Sequence, residues 1–210
     1  EVKPELIAHA PERVAPGKPV WLGLKLEHAP HWHTYWKNPG DSGLPTQLEW
    51  SLPAGAQAGE IDWPAPQRLP FGPLVNYGYE DTVVLPVPVT LPAGFAQKTL
   101  EVKLRADWLV CKTECIPQSG DFTHSLPADG KPIVAQQPAF EAAFAARPAS
   151  LSAATAKARV EEGALVLSAR GLPAAQVTDV VLNASLFERG YAWGALGAAE
   201  VGDGRERLGR

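Results

Sequence analysis

Two segments of the chain alternate between apolar and polar positions. In residues 20–27 the even-numbered positions are apolar, and in residues 100–108 the odd-numbered positions are charged. A period of two residues is typical of a β-strand with one buried face and one solvent-exposed face. The pattern therefore predicts two amphipathic strands, whose buried faces carry Val20, Leu22, Leu24 and Leu26 in the first and Leu100, Val102, Leu104, Ala106 and Trp108 in the second.

Three further segments have the composition of strands. Residues 83–89 are apolar and β-branched, and their two prolines predict an edge strand or a bulge, because proline cannot donate to a ladder. Residues 48–50 and 61–63 are predicted as short strands between turns rich in Pro and Gly. Because no helical pattern precedes about residue 138, the chain is predicted to be all-β and to begin with an antiparallel, immunoglobulin-like sandwich.

The chain divides into three predicted parts. Residues 1–127 form the sandwich domain, and residues 128–150 form a linker with a short helix that begins at Pro138. Phe140 and Phe144 lie one turn apart in this helix. The helix is predicted to end at Arg147-Pro148. Residues 151–210 form a second, smaller β-rich domain that is either truncated or packed on the first.

The second domain has weaker signals than the first. Its segments 158–161 and 164–169 flank Glu162-Gly163, which predicts a hairpin. Residues 177–182 are predicted as a further strand. Residues 202–207 show no periodicity and are expected to be frayed.

Composition narrows the classes of function. The chain contains 21 Pro and 19 Gly in 210 residues, which disfavours a mostly helical protein. Its net charge is −4 and it has no run of Lys and Arg, which disfavours nucleic-acid binding. It has no apolar run of about 18 residues, the length of a membrane-spanning helix. Because the chain starts with Glu1 and contains no Met, we expect a processed or trimmed piece, after removal of a signal peptide or as a cloned fragment.

The two cysteines of the chain, Cys111 and Cys115, are four residues apart. A disulfide that closes so short a loop stabilises a fold by only about 2 kcal/mol, against more than about 4 kcal/mol for a loop of about 100 residues. If they pair, the chain must turn between them, because four residues of extended strand span about 13 Å. Cys111 has the parity of the charged positions, so it is expected to point away from the core. The pair is therefore more typical of an accessible redox dithiol than of a structural disulfide.

Two other interpretations of the cysteines remain open at this point. His31 and His33 could join Cys111 and Cys115 in a four-ligand set for zinc or copper, although copper(I) sites often recruit methionine and this chain has none. Alternatively, the chain is a noncatalytic binding module with a small structural disulfide.

Four blocks of the sequence together resemble the N-terminal periplasmic domain of the DsbD/ScsB family of membrane thiol:disulfide reductases. The resemblance is closer to the ScsB branch, which is tied to copper tolerance. The cysteines here are closer together than in DsbD. The blocks are His-Trp-His-Thr-Tyr-Trp-Lys-Asn-Pro-Gly-Asp-Ser-Gly-Leu-Pro at 31–45, Ile-Asp-Trp-Pro-Ala-Pro at 61–66, Asn-Tyr-Gly-Tyr-Glu at 76–80 leading into 83–89, and Trp-Leu-Val-Cys-Lys-Thr-Glu-Cys-Ile-Pro at 108–117.

The resemblance implies a protein-disulfide reductase that needs no cofactor, because cysteine sulfur carries both electrons. The domain would accept electrons from a membrane-embedded domain of the same full-length protein, itself supplied by cytoplasmic thioredoxin. It would then reduce periplasmic partners of thioredoxin fold, with Cys115 as the attacking and Cys111 as the resolving cysteine. It implies a periplasmic domain of an inner-membrane protein.

The resemblance also implies a cap loop whose aromatic side chain shields the cysteines. The matching stretch is 69–77, in which Phe71 is the candidate cap, with Tyr77 and the nearby Tyr79 as rivals. The alternative is that Phe71 is a core residue under a Pro-rich loop. His33 and Tyr35, from the aromatic block, are expected to line the site.

Overall fold

The computed structural model describes residues 1–148, 155–161, 164–171 and 205–207, in two compact units, Glu1–Pro148 and Ala149–Arg210. None of the helices in these ranges is long and apolar enough to cross a membrane. The elements are β1 (Val2–His9), β2 (Val20–His28), β3 (Thr34–Gly40), β4 (Gln47–Ser51), β5 (Gln57–Ala58), β6 (Gln67–Phe71), β7 (Leu74–Tyr79), β8 (Thr82–Thr90), β9 (Thr99–Cys111), β10 (Cys115–Pro127), α1 (Gln137–Ala145), β11 (Thr155–Glu161), β12 (Ala164–Arg170) and β13 (Arg205–Arg207).

The first unit is built on two antiparallel sheets, with strand orders β1-β2-β8-β5 and β10-β9-β4. The two predicted amphipathic strands are confirmed as β2 and β9, and their apolar faces meet in one core. This arrangement confirms the predicted immunoglobulin-like sandwich. The core residues from these two strands are Val20, Leu22, Leu24, Leu26, Leu100, Val102, Leu104, Ala106 and Trp108.

The prolines of β8 lie on its outer side. β8 pairs with β2 along its length. On the other side, among the residues that the structure describes, its strand partner is the two-residue strand β5. There, the carbonyls of Pro86 and Pro88 accept hydrogen bonds from the N–H groups of Asp62 and Gly59. Because proline lacks an N–H group, this side cannot carry a full ladder. The strand is therefore close to an edge strand, as its prolines predict.

The predicted strand at residues 61–63 does not form, whereas the one at 48–50 is confirmed within β4. Asp62 makes a single backbone hydrogen bond to Pro86, and Pro64 and Pro66 follow immediately. The prolines of this segment and of β8 both remove ladder donors, so an apolar pattern here cannot become a paired strand.

Helix α1 packs on the outer face of the sheet that contains β1, β2 and β8. Its residue Phe140 is fully buried against Ile7 and Val84. Gly23 makes this approach possible, because a Cβ at that position would lie 2.9 Å from Val84 Cγ1 and 3.1 Å from Phe140 Cζ. The helix predicted for the linker therefore belongs to the same compact unit as the sandwich, and it ends at Ala145.

A third sheet, with strand order β3-β7-β6, joins the sandwich near the end of β9. It contains residues 69–77, the stretch expected to be a cap loop, and this stretch forms most of the β6–β7 hairpin. The hairpin turns at Gly72, which has a positive φ of 58°.

The second unit contains a three-stranded sheet with order β11-β12-β13. The predicted hairpin is confirmed, since β11 and β12 pair in antiparallel register. Residues 205–207 pair with β12 instead of fraying, because backbone pairing of a short polar strand needs no alternation in the sequence. The predicted strand at 177–182 lies outside the described residues, and the predicted domain boundaries stay predictions.

Candidate functional site

Cys111 and Cys115 form a disulfide at the closing pair of the β9–β10 hairpin. They are directly opposite each other in the register, with their Cα atoms 4.1 Å apart. The chain turns through residues 112–114 between them, and the Lys112 N–H donates to the Glu114 carbonyl over 3.0 Å. Long, regular strands on both sides therefore hold the disulfide at the tip of a hairpin.

The two sulfur-bearing residues differ in exposure. Cys111 is only 2% exposed, whereas Cys115 is exposed to solvent. Cys111 is covered because its backbone N–H and carbonyl are both bonded to His33 over 2.9 Å, in an isolated bridge. The prediction of an accessible Cys111 is therefore wrong, and the parity of β9 fails to predict its burial because the covering strand is distant in sequence.

Tyr35, on β3, and His33, just before β3, lie beside the disulfide. Their side chains are on the same side of the strand. The Tyr35 hydroxyl is 3.8 Å from Cys115 Sγ and 3.3 Å from His33 Nε2. The two rings meet edge to face, with centroids 5.2 Å apart. Both side chains are buried, so together they form a short polar chain that leads from the interior to the exposed sulfur.

Burial controls the protonation of this polar chain. Burial lowers the pKa of His33, although the charge of Glu80 opposes the shift. Burial also raises the pKa of the Tyr35 hydroxyl. At neutral pH the imidazole is therefore neutral and the hydroxyl keeps its proton, which it can donate to a sulfur anion.

A turn after β3 holds Tyr35 in place. The side-chain oxygen of the buried Asn76 accepts a hydrogen bond from the Ser42 N–H over 2.9 Å, and Asp41 Oδ2 accepts from the Val75 N–H over 2.7 Å. Gly43, at a φ of 112°, lies flat against the Tyr35 ring, where a Cβ would come within 2.3 Å of Cε1. Sequence reasoning from single motifs missed these supporting residues, although Asn-Pro-Gly-Asp-Ser-Gly at 38–43 does signal a tight turn.

The three cap candidates have different environments. Phe71 is 43% exposed at the tip of the β6–β7 hairpin, so it is not a core residue. Phe71 pairs with Leu74 of β7, and Tyr35 pairs with Gly78 of the same strand. Leu74 and Gly78 are four residues apart, which is about 13 Å along the strand. Tyr77 is half-buried on β7.

Tyr79 lies in the core of the sandwich. Its hydroxyl donates to the Pro64 carbonyl over 2.7 Å, and burial raises its pKa. Its side chain therefore has a structural position and is not free to cover the disulfide.

The residues proposed for a metal site are not assembled. His31 is exposed, and its φ of 68° turns the chain just before His33. Both cysteine sulfurs are engaged in the disulfide. In the described part of the chain, no three His, Cys, Asp or Glu side chains cluster in a way that could hold a metal ion.

Comparisons with known proteins identify a matching family and similar solved structures. Residues 4–127 match the family described as "Thiol:disulfide interchange protein DsbD, N-terminal". The fold is similar to the crystal structure of the N-terminal periplasmic domain of ScsB from Proteus mirabilis, with a TM-score of 0.55 and 22% sequence identity over 77% of this chain. The match covers 62% of that domain. No curated protein matches the sequence significantly.

Proposed function

The chain belongs to the family of N-terminal domains of the thiol:disulfide interchange protein DsbD, and we propose that it reduces disulfides of thioredoxin-fold proteins in the periplasm. Family membership makes it a thiol-disulfide exchange domain. The finer assignment is supported by one observation above all, the unequal exposure of Cys115 and Cys111.

Cys115 is the attacking residue in this proposal. In the reduced domain its thiolate attacks one sulfur of the partner's disulfide, forms a mixed disulfide and releases the partner's other sulfur as a thiolate, which takes up a proton. Only an exposed sulfur can reach a disulfide on another protein. Cys115 is an exposed residue, whereas Cys111 is buried.

Cys111 is the resolving residue. Its thiol loses a proton and attacks the Cys115 sulfur, which restores the Cys111–Cys115 disulfide and releases the partner's second thiol. The partner gains two electrons and two protons, and the domain loses the same. Because the two cysteines are held opposite each other on paired strands, the second attack needs no large movement of the chain.

Tyr35 assists the first step as a hydrogen-bond donor. Its hydroxyl retains its proton at neutral pH and lies next to Cys115, so it can stabilise the thiolate that attacks. His33 holds the hydroxyl from the other side.

The source of electrons is proposed from the family. A membrane-embedded domain of the full-length protein would reduce the disulfide, so that the domain alternates between two protein partners at the same exposed sulfur. We also propose that Phe71, at the tip of the β6–β7 hairpin, shields the site between encounters. Its register position is about 13 Å from that of Tyr35.

The first test is equilibration of the domain with glutathione buffers, read by alkylation and mass spectrometry of the two cysteines. We expect a reversible two-electron transition between about −200 and −300 mV, the range of carriers that exchange with thioredoxin-fold proteins. A disulfide that stays oxidised well below about −300 mV would instead identify a structural crosslink.

A matched pair of variants tests the order of attack. The probe is a thioredoxin whose second active-site cysteine is replaced by Ser and whose first is activated as a mixed disulfide with 5-thio-2-nitrobenzoate, so that the leaving thiolate departs. Cys111→Ser leaves the attacking sulfur and removes the resolving one, so the mixed disulfide should accumulate. Cys115→Ser leaves only the buried sulfur, so little mixed disulfide should form. Equal trapping by both variants would contradict the assignment.

A further inference from the structure

An open groove lies beside the disulfide, where β4 stops pairing with β9. The last pair of that ladder is Gln47–Asp107, and the groove opens beyond it. Its volume is about 280 Å³. The apolar side chains of Leu44, Pro45, Leu109 and Pro117 form much of its wall, and polar side chains, among them Asp107 and Gln118, form the rest.

The groove lies two strand positions from the reactive disulfide. Leu109 and Pro117 are opposite each other on the β9–β10 hairpin, two residues from the pair Cys111–Cys115. Side chains two residues apart on a strand share a face, at a spacing of about 7 Å. The apolar floor of the groove and the disulfide are therefore neighbours on the same face of the hairpin.

The opposite wall is tied to the site as well. Leu44 follows Gly43, the residue that lies against the ring of Tyr35. Leu44 is 65% exposed, which is the highest value among the exposed large apolar side chains of the described residues. A leucine so exposed is unremarkable when isolated, but here it forms the rim of an apolar groove next to the sulfur.

We propose that this groove binds the apolar side chains that flank the reactive cysteine of the partner protein. The inference rests on the proposed function, because a mixed disulfide would join the partner's cysteine to Cys115, whose strand position is about 7 Å from that of Pro117. The groove thereby selects partners whose disulfide lies in an apolar surface.

The size of the groove fits this occupant. Sites for drug-sized ligands enclose about 300–1,000 Å³, so a volume of about 280 Å³ suits one or two side chains better than a cofactor. Side chains on either side of a cysteine would enter the groove only while the cysteine is joined to Cys115.

Two synthetic peptides test the preference directly. Gly-Leu-Cys-Leu-Gly and Gly-Ser-Cys-Ser-Gly are each activated as a mixed disulfide with 5-thio-2-nitrobenzoate, and release of the coloured thiolate by the reduced domain gives the rate. Rates are divided by those measured with glutathione, which removes differences in intrinsic reactivity. We expect the domain to prefer the leucine peptide by about tenfold, as burial of one leucine side chain would produce.

A matched pair of variants assigns the preference to the groove. Leu44→Ser should reduce the ratio between the two peptides to about threefold or less, because the rim of the groove is lost. Val134→Ser is the control, since Val134 is also an exposed apolar residue, 43% exposed. It follows Ile133, which pairs with Ala10 just beyond β1. The other end of β1 is the one near the groove, since Glu1 accepts a hydrogen bond from Gln118 of the groove wall, and Val2 is about 26 Å along the strand from Ala10. Its ratio should remain at about tenfold.

The outcomes separate this inference from the proposed function. If the reduced domain reacts with both peptides at equal corrected rates, the exchange activity stands and the groove has no role in selection. If it reacts with neither peptide, the exchange activity itself is wrong, and the inference falls with it. Equal losses of preference in the Leu44→Ser and Val134→Ser variants would also contradict a local groove.

Discussion

The two outer faces of the sandwich differ in whether another element of the chain covers their apolar side chains. On the sheet with β1, β2 and β8, apolar residues also point outward, and helix α1 covers them so completely that Phe140 has no exposure. On the β9–β10 hairpin the outer face is open, and its apolar residues gather beside the disulfide. The chain thus covers one apolar surface by itself and leaves the other uncovered.

The difference separates stability from recognition. An apolar surface that has its own helix contributes to folding, because burial removes it from water in every molecule. An apolar surface left open next to a reactive sulfur contributes nothing to folding and is available to a partner. Substitutions on the two faces should therefore have opposite profiles in stability and in exchange rate.

The largest effect is expected on the covered face. Phe140→Ala should lower the free energy of unfolding by about 3–5 kcal/mol, because it empties the centre of the contact between helix and sheet. The exchange rate of the folded, reduced protein with a small disulfide should be unchanged. Urea unfolding and a stopped-flow assay measure the two quantities.

The matched substitution on the open face is Leu44→Ala. It should change the free energy of unfolding by about 0.5 kcal/mol or less, since the side chain is largely exposed. A loss comparable to that of Phe140→Ala would show that the open face is part of the core, and the contrast between the faces would fail.

An intermediate effect is expected at Gly43, because a substitution there should affect both stability and the exchange rate. Gly43→Ala forces a side chain into a left-handed conformation and against the Tyr35 ring, so it should cost about 1–3 kcal/mol and also slow exchange. Gly17→Ala is the control, because Gly17 also has a positive φ, of 71°, but nothing lies within 4 Å of its Cβ position. Slower exchange in Gly17→Ala as well would mean that general destabilisation is the cause.

A smaller effect is expected from the hydroxyl of Tyr35. Tyr35→Phe keeps the ring against Gly43 but removes the donor, so the pKa of the Cys115 thiol in the reduced protein should rise. Alkylation of Cys115 at neutral pH should then slow by about 3–10-fold. In Tyr79→Phe, where the lost hydroxyl served Pro64 in the core, stability should fall while the pH profile of alkylation stays in place.

The smallest effect concerns pH. Burial lowers the pKa of both His28 and His33, so the unfolded chain binds protons more readily than the folded one. Their contribution to stability is therefore complete above about pH 6.5 and declines as the pH falls below it. Urea midpoints should be level between about pH 7 and 8 and lower at pH 5.5. His33→Gln should make the urea midpoint depend less on pH. An unchanged dependence would show that other groups cause it.

Sequence reasoning succeeded where the pattern is local. The alternation in β2 and β9 predicts strands because each residue's environment repeats every second position, and Pro138 marks the start of a helix for a similarly local reason. The prediction failed at residues 61–63, because no neighbouring strand in the described part of the chain offers free backbone N–H groups for pairing there. Ladder partners are a tertiary property that no single segment contains.

The candidate site shows the same limit. The cysteines and the aromatic block could be identified from the sequence, but their contact could not be built. Cys111 is buried by His33, which is 78 positions earlier, and Tyr35 is positioned by a turn bonded to Asn76. The exposed rim at Leu44 had no signal at all, because one leucine in a turn is common.

The position of the disulfide at the closing pair of a hairpin bears on how the protein acquires its fold. Loops of a few residues close within about 10–100 ns, far faster than two sheets can assemble into a sandwich. The two sulfurs can therefore meet as soon as β9 and β10 begin to pair, and a chain with only two cysteines offers them no wrong partner within itself. Oxidation therefore requires only the β9–β10 hairpin and no rearrangement of disulfides, so it can come before or after assembly of the sandwich.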